Sequence, residues 1–292
     1  MTNDAMRNDA KTNDRTISGR TRVAGVIGWP VAHSLSPVIH AAGFASLGVD
    51  AVYVALPVPP GRGAEAVRGA FDLGFVGLSV TMPHKEAVAA SVDEIEDTAA
   101  FLRSVNTVCF GAGGTVGRST DGDGFLASLR DEAVHVSGRS ALVIGTGGAG
   151  RAVAEALNRA GARLTVSNRS EASARHLAEL LPGCSVVSWS ELGRVAPDHD
   201  LIVNCTSIGM GDSDESPLDV GRLSKRHVVV DIVYHPERTP LLIAAETRGA
   251  TAVGGLGMLV HQAALQETAW FGASPDVTAM KESVRRALAA QG

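Results

Sequence analysis

The amino-acid sequence predicts an α/β fold of two units: an N-terminal unit with a mainly parallel sheet, then a doubly wound one. Three observations lead there. Apolar runs of strand length alternate with segments of helical length, the pattern of parallel strands covered by helices. The run SALVIG at 140–145 is almost continuously apolar, as a central strand buried on both faces must be, and a glycine-rich turn follows it. The chain has 292 residues, against about 150 for an average domain. Its 33 glycines and only 4% aromatic residues suit tight strand-to-helix turns.

Ordered structure is expected from Arg22 onward. The preceding segment, MTNDAMRNDAKTNDRT, is polar and repeats Asn-Asp, so residues 1–21 read as a disordered tail outside the fold. VAGVIG at 23–28 reads as the first strand and 37–47 as a helix closed by Gly48. A strand at 51–56 and a helix at 63–73 follow. Residues 77–81 form a short strand that stops at Pro83 and passes into a helix from about Lys85. Residues 106–110 and the stretch up to Arg118 read as strands on either side of a GAGG turn at 111–114. A helix from Asp121 and a polar stretch to Ser137 lead into the second unit. That unit takes strands at 140–145, 163–168, 201–206 and 227–234, with a helix at 151–160. The C-terminal part is expected to be helical over 259–271 and 276–290.

Composition removes several classes of function. A net charge of −5 and the absence of any Lys/Arg-rich run argue against nucleic acid as a partner. No apolar stretch approaches the roughly 18 residues of a membrane span, and the N-terminus lacks the apolar core of a signal peptide. Cys109, Cys184 and Cys205 stand without CxxC spacing, which suggests neither a disulfide framework nor a zinc site. Cys109 and Cys205 lie in apolar runs and are expected to be buried. A cytoplasmic protein without a metal is the resulting expectation.

The turn after SALVIG carries the first chemical signal. Gly145, Thr146, Gly147, Gly148, Ala149 and Gly150 fit GxGxxG, directly behind a strand and opening a helix, in a unit of about 30 residues that ends in another strand. Gly145 permits the tight turn, Gly147 lets main chain approach a pyrophosphate, and Gly150 lets the helix pack close to the strand. The helix N-terminus adds amide donors and partial positive charge. This is the fingerprint of a Rossmann dinucleotide site. NAD binders place an acidic residue about 20 residues beyond the glycines; here the second strand ends in Asn168, Arg169 and Ser170. A cation and small donors suit a 2′-phosphate, so NADP is the expected cofactor, with Glu171 as an opposing neighbour.

Seven further segments flank this fingerprint in order. They are HSLSP at 33–37, SVTMPHK at 79–85, SVNT at 104–107, STDG at 119–122, DIVY at 231–234, TPL at 239–241 and GLGMLVHQA at 255–263. From about Arg22 to the C-terminus, the chain closely resembles the shikimate dehydrogenase family. The resemblance implies an α/β substrate domain over residues 22–120 completed by 256–292, and an NADP-binding domain over 121–255. It implies reversible NADP-dependent reduction of 3-dehydroshikimate to shikimate, in chorismate and aromatic amino-acid biosynthesis. By matching position, Lys85 and Asp121 are the catalytic pair. Ser34, Ser36 and Tyr234 hold the substrate carboxylate, and Thr81, Asn106 and Gln262 hold its ring hydroxyls. Asn168, Arg169 and Ser170 lie at the adenosine phosphate, with Thr206, Ile232, Gly255 and Met258 along the rest of the cofactor.

The residue types suit that chemistry. Hydride transfer at a carbinol carbon needs a group that takes the hydroxyl proton and returns it in the reductive direction. A lysine can do this where burial disfavours its charged form, while a nearby carboxylate favours that form; Lys85 reads as the acid and Asp121 as its positioning partner. Two positions depart from the family. Ser79 stands where many members have asparagine, with shorter reach. Ser173 stands where many have a second phosphate-binding arginine, a role open to Arg175 if its helix turns it inward. His33, His84 and His261 read as supporting or surface groups, His40 as structural, and Trp29, Trp189 and Trp270 as packing residues. The rivals are a quinate or aminoshikimate dehydrogenase of the same fold, a folate- or amino-acid-linked dehydrogenase, and a non-catalytic sensor. A monomer or homodimer is expected.

Overall fold

In the computed structural model, which describes residues 16–290, the chain folds around two six-stranded sheets. The tail expected over 1–21 lies outside the described residues up to residue 15, and residues 16–21 hold only a turn ahead of the first strand. The first unit runs β1 (Arg22–Gly28), α1 (Ser36–Ser46), β2 (Ala51–Pro57), α2 (Gly63–Asp72), β3 (Gly77–Val80), α3 (Lys85–Ala89), β4 (Glu94–Ile95), α4 (Asp97–Leu102), β5 (Thr107–Gly111) and β6 (Gly114–Arg118). Helix α5 (Asp121–Asp131) leads into β7 (Ser140–Ile144), α6 (Gly148–Arg159), β8 (Arg163–Ser167), α7 (Glu171–Leu180), β9 (Ser185–Val186), α8 (Leu192–Val195), β10 (Leu201–Asn204), β11 (Val228–Asp231), α9 (Pro240–Thr247) and β12 (Thr251–Val253). Two helices close the chain, α10 (Leu256–Phe271) and α11 (Val277–Ala289).

The first sheet has the order β2-β1-β3-β5-β6-β4. Its β1–β2, β1–β3 and β4–β6 pairs are parallel, while β3–β5 and β5–β6 are antiparallel. The antiparallel β5–β6 pair follows from the 111–114 turn. Gly114 takes a φ of +113°, so the chain reverses at once and no crossover is available to make the next pair parallel.

The second sheet is parallel throughout, in the order β12-β11-β10-β7-β8-β9. Read from its other edge this is the 3-2-1-4-5-6 order of doubly wound dinucleotide folds, whose crevice opens where the order reverses. Alternation along the strands feeds two cores. Ala141, Val143, Leu201, Val203, Val228 and Val230 face one helical layer, and Leu142, Ile144, Ile202 and Val229 face the other. Strands 201–206 and 227–234, longer in expectation, end at Asn204 and Asp231 where the chain turns into the crevice.

Helices α10 and α11 return to pack on α1, around Leu35, Ile39, Leu256, Val260, Met280 and Val284. The join between the units is made by α5, and glycine decides how close it comes. A Cβ on Gly122 would stand 2.7 Å from the Ala152 carbonyl oxygen of α6, and one on Gly124 would stand 2.6 Å from the Gln262 nitrogen of α10. The sequence DGDG thus wedges α5 between two helices and fixes its first residue, Asp121, at the junction.

Two expectations about single residues change. Cys109 and Cys205 are only partly buried, because one lies near the turn of the β5–β6 hairpin and the other just past β10 at the crevice. Trp29 is 47% exposed, on the loop after β1, rather than packed.

Candidate active site

Residues from β3, from the loops after β1, β3 and β11, from the stretches leading into β5 and α5, and from α10 line one cleft of about 450 Å³. β3 ends at Val80, and the turn through Pro83 starts α3 at Lys85; β6 ends at Arg118, and α5 starts at Asp121. The two helix starts face each other. Lys85 Nζ donates to Asp121 Oδ2 at 2.6 Å, with side-chain exposures of 22% and 13%. Asn106 Nδ2 donates to the other oxygen, Oδ1, at 2.7 Å and to Thr120 Oγ1 at 2.9 Å. The Thr120 amide in turn donates to Asn106 Oδ1 at 2.9 Å, so the amide orientation is set by main chain. An ammonium and a carboxylate held this way, half shielded from water, can hand a proton to an oxygen in the cleft.

The remaining sequence-predicted substrate residues line the same cleft: Ser34, Ser36, Ser79, Thr81, Tyr234 and Gln262. Ser34 Oγ accepts the Ser36 main-chain amide at 3.2 Å, which holds the Ser34 hydroxyl at the start of α1. Tyr234 is half-buried, and burial pushes its hydroxyl up, so it stays protonated. Gln262 Nε2 donates to the Leu259 carbonyl of its own helix at 2.8 Å.

The residues expected at the cofactor divide into two groups. Gly145 adopts a φ of +101° after β7, where a Cβ would press on Cys205 and Thr206; a Cβ on Gly150 would overlap the Gly145 carbonyl oxygen. Gly147 and Gly148 open onto free space at the start of α6, leaving a cradle with exposed main chain. The Thr146 amide donates to Asn168 Oδ1 at 3.3 Å, and the buried Thr146 Oγ1 has no partner. The Arg169 guanidinium lies over the Trp189 ring at 5.8 Å, beside Ile208, Ser216 and Pro217. Ile232, Gly255 and Met258, in contrast, line the substrate cleft itself, and Gly255 is required because a Cβ there would overlap the Ile232 carbonyl. Thr206 Oγ1 donates to Asn204 Oδ1 at 2.7 Å, shaping the crevice edge. Open main chain at a helix N-terminus, an unpartnered hydroxyl and a cation at the second strand's end fit a phosphorylated dinucleotide.

Arg175 does not turn toward that cation. It pairs with Glu171 one helical turn back, away from Arg169. The bridge between units lies nearby: Arg151, next to Gly150, reaches Glu86, next to Lys85, at 2.7 Å.

Some residues escaped sequence reasoning. Gln266 lines the cleft one turn beyond Gln262, and that i, i+4 spacing on a helix was the available signal. Met82 and Met210 line the mouth. Trp189 stands against Arg169 as well as packing on the core. His84 is buried with Nε2 2.8 Å from the Val58 carbonyl, and His40 pairs with Glu267, both as supporting groups. Among the described residues no cluster of His, Cys, Asp or Glu is arranged to hold a metal, and no helix is long and apolar enough to cross a membrane.

A proton-handling pair beside a dinucleotide cradle at the switch point of a doubly wound sheet defines a nicotinamide-nucleotide dehydrogenase. Family models agree segment by segment: shikimate dehydrogenase substrate binding domain over residues 26–108, shikimate / quinate 5-dehydrogenase over 128–233, and shikimate 5'-dehydrogenase C-terminal domain over 255–285. A shikimate dehydrogenase (NADP(+)) of Acidiphilium cryptum is 45% identical over 274 residues, which is 94% of this chain and 98% of that one. The Thermus thermophilus shikimate 5-dehydrogenase, solved with NADP(H) and shikimate, superposes with a TM-score of 0.85 at 38% identity, covering 91% of this chain and 99% of that one. A quinate dehydrogenase of Corynebacterium glutamicum, solved with NAD, gives 0.86 at 32% identity, covering 91% and 99%. The chain belongs to the shikimate dehydrogenase family.

Proposed function

We propose that this chain catalyses the reversible, NADP-dependent reduction of 3-dehydroshikimate to shikimate. The observation that carries the reading is the Lys85–Asp121–Asn106 constellation at the floor of a hydroxyl-lined cleft, next to a cradle whose facing charge is Arg169. NADPH, bound on Gly145, Thr146, Gly147, Gly148, Ala149 and Gly150, supplies the hydride. At the ring carbonyl, the oxygen takes a proton from Lys85 Nζ as its carbon is reduced, and the lysine regains a proton from solvent. In the oxidative direction Lys85 receives the hydroxyl proton. Asp121 holds the ammonium in place, and Asn106 holds Asp121.

Ser34, Ser36 and Tyr234 bind the carboxylate through hydroxyl donors, which suits an anion that must also leave. Thr81, Asn106, Gln262 and Ser79 bind ring hydroxyls. Asn168, Arg169 and Ser170 hold the 2′-phosphate, with Thr206, Ile232, Gly255 and Met258 along the cofactor toward the cleft. The same proposal divides the chain at residues 121 and 255 into a substrate domain and an NADP domain. It places a monomer or homodimer in the cytoplasm without nucleic acid or membrane partners.

The test crosses shikimate and quinate with NADP and NAD while following nicotinamide absorbance. Fast turnover with shikimate and NADP is the expected result. Preference for quinate or NAD would move the protein to a sister activity on the same machinery, and absence of turnover with every pair would overturn the enzymatic reading.

A further inference from the structure

Behind the cleft, one line of hydrogen bonds has a direction fixed by main chain. Gln266 Nε2 donates to the Asn106 carbonyl oxygen at 3.2 Å and to Thr107 Oγ1 at 3.1 Å. A carbonyl oxygen only accepts, so the amide's nitrogen must face it and its oxygen must face the other way. That oxygen, Oε1, takes the hydroxyl proton of Ser79 at 2.7 Å. Ser79 has no second proton, so Tyr53 must be the donor in the 2.6 Å contact between their hydroxyls. Burial pushes the Tyr53 hydroxyl up, which keeps its proton available for this bond.

The line continues toward the catalytic pair. Thr107 Oγ1 donates to Asn106 Oδ1 at 2.7 Å, and Asn106 Nδ2 donates to Asp121. Tyr53, Ser79, Gln266, Thr107 and Asn106 are all buried, so no bulk water competes for these groups.

This arrangement changes what Ser79 can do. A free serine hydroxyl is both donor and acceptor. Here its proton is committed to Gln266 and one lone pair to Tyr53. What remains toward the cleft, which Ser79 lines, is a single acceptor site. A ligand group there must donate: a hydroxyl fits, while a ketone, an ether or a bare carbon leaves the acceptor unpaired.

We infer that Gln266 is a specificity-determining residue that acts through Ser79, locking it as an acceptor for a ring hydroxyl of the substrate that the reaction does not oxidise. This rests on the proposed shikimate chemistry.

The experiment measures kcat/KM for shikimate and for analogues in which one unoxidised ring hydroxyl is replaced by fluorine, which accepts but cannot donate. For the wild-type enzyme, one analogue is expected to fall about 10- to 100-fold, the size of a buried acceptor left unpaired. Gln266→Met keeps the volume and removes the accepting oxygen; Ser79 can then rotate its proton, and the penalty is expected to shrink to about 3-fold or less, with KM for shikimate changing more than kcat. Gln266→Glu, held as the neutral acid because its inner oxygen must donate to the Asn106 carbonyl, retains an oxygen facing Ser79 and is expected to keep the wild-type penalty. Ser79→Ala removes the acceptor and is expected to abolish it. A Met variant that discriminates like wild type, a Glu variant that does not, or a Ser79→Ala variant that still does would each overturn the inference. If Gln266→Met fails to fold, the Glu and Ser79 variants decide alone. Wild-type protein that ignores shikimate altogether would instead defeat the functional reading, and this inference with it.

Discussion

The dinucleotide cradle is made of main chain, whereas the opposing substrate wall is made of side chains that hold one another. Between β7 and α6, Gly145 and Gly150 allow close packing, and Gly147 and Gly148 leave main chain open at a helix start. Across the cleft, Lys85, Asp121, Asn106, Thr107, Gln266, Ser79 and Tyr53 form one connected set of hydrogen bonds. The cradle's geometry is therefore local and each residue acts nearly alone. The substrate wall is assembled from β2, β3, α3, α5, α10 and the residues just before and in β5, so its parts are coupled and a change at one is felt at others.

This contrast predicts a clean separation of effects, largest at the pair itself. Lys85→Ala is expected to lower kcat by about 10³-fold, within the usual range for a proton-transferring side chain. NADPH binding, followed by fluorescence titration, should be unchanged, because no cradle residue touches Lys85. A parallel loss of cofactor affinity would show that the two walls are not independent.

The same contrast explains what was legible in the sequence. The cradle is contiguous, so GxGxxG behind an apolar strand was readable from spacing alone, and the 3-2-1-4-5-6 sheet follows from it. The substrate wall is dispersed over residues 34–266, and nothing in periodicity joins Ser79 to Gln266; only family resemblance placed most of its members together. Gln266 and Tyr53 escaped because their role depends on which atoms they meet across the fold. Short elements such as β4, β9 and β12 were missed for a related reason. Two or three residues carry no period, and they are strands only because a longer neighbour pairs with them. Helices α7 and α9 lay in stretches whose strands were easier to see. Arg175 shows the limit of spacing arguments: its position admitted a phosphate contact, and an i, i+4 pair with Glu171 took it instead.

Arg169 sharpens the comparison from the cradle side, with a smaller effect. It is the cation at the end of β8, and its neighbour Glu171 is held by Arg175. Arg169→Ala is expected to raise KM for NADP by about 10- to 100-fold, as for a lost charge-assisted contact to phosphate. KM for NAD and kcat with shikimate should stay within about 2-fold, because neither involves the 2′-phosphate. Steady-state kinetics with both nucleotides checks this, and an equal loss with NAD would mean that Arg169 supports the fold of the crevice rather than the phosphate.

The smallest expected effect concerns a buried pair behind the coupled wall, where the His40 ring stacks on Tyr53 at 4.1 Å. His40 Nδ1 lies 2.9 Å from Glu267 Oε1, both side chains fully buried, with His40 Nε2 and Glu267 Oε2 unpartnered. Burial pushes Glu267 from 4.5 up to about 9 and His40 from 6.5 down to about 3, so both are neutral near pH 7. The signs oppose each other. A raised carboxyl contributes its full stability below about pH 4.5 and loses it as pH rises through about 9; a depressed imidazole contributes fully above about pH 6.5 and loses it as pH falls through about 3. Glu267→Gln removes only the first dependence while nearly preserving shape, which matters because Gly43 already leaves no room for more. Melting temperatures between pH 6 and 9 should therefore decline less steeply in the variant, by about 2–4 °C for each kcal/mol of linkage removed. At acid pH the two proteins should lose stability alike, because His40 still has to charge on unfolding. A wild-type slope that persists in Glu267→Gln would mean that the alkaline loss comes from other groups and that Glu267 is ionised in the folded protein.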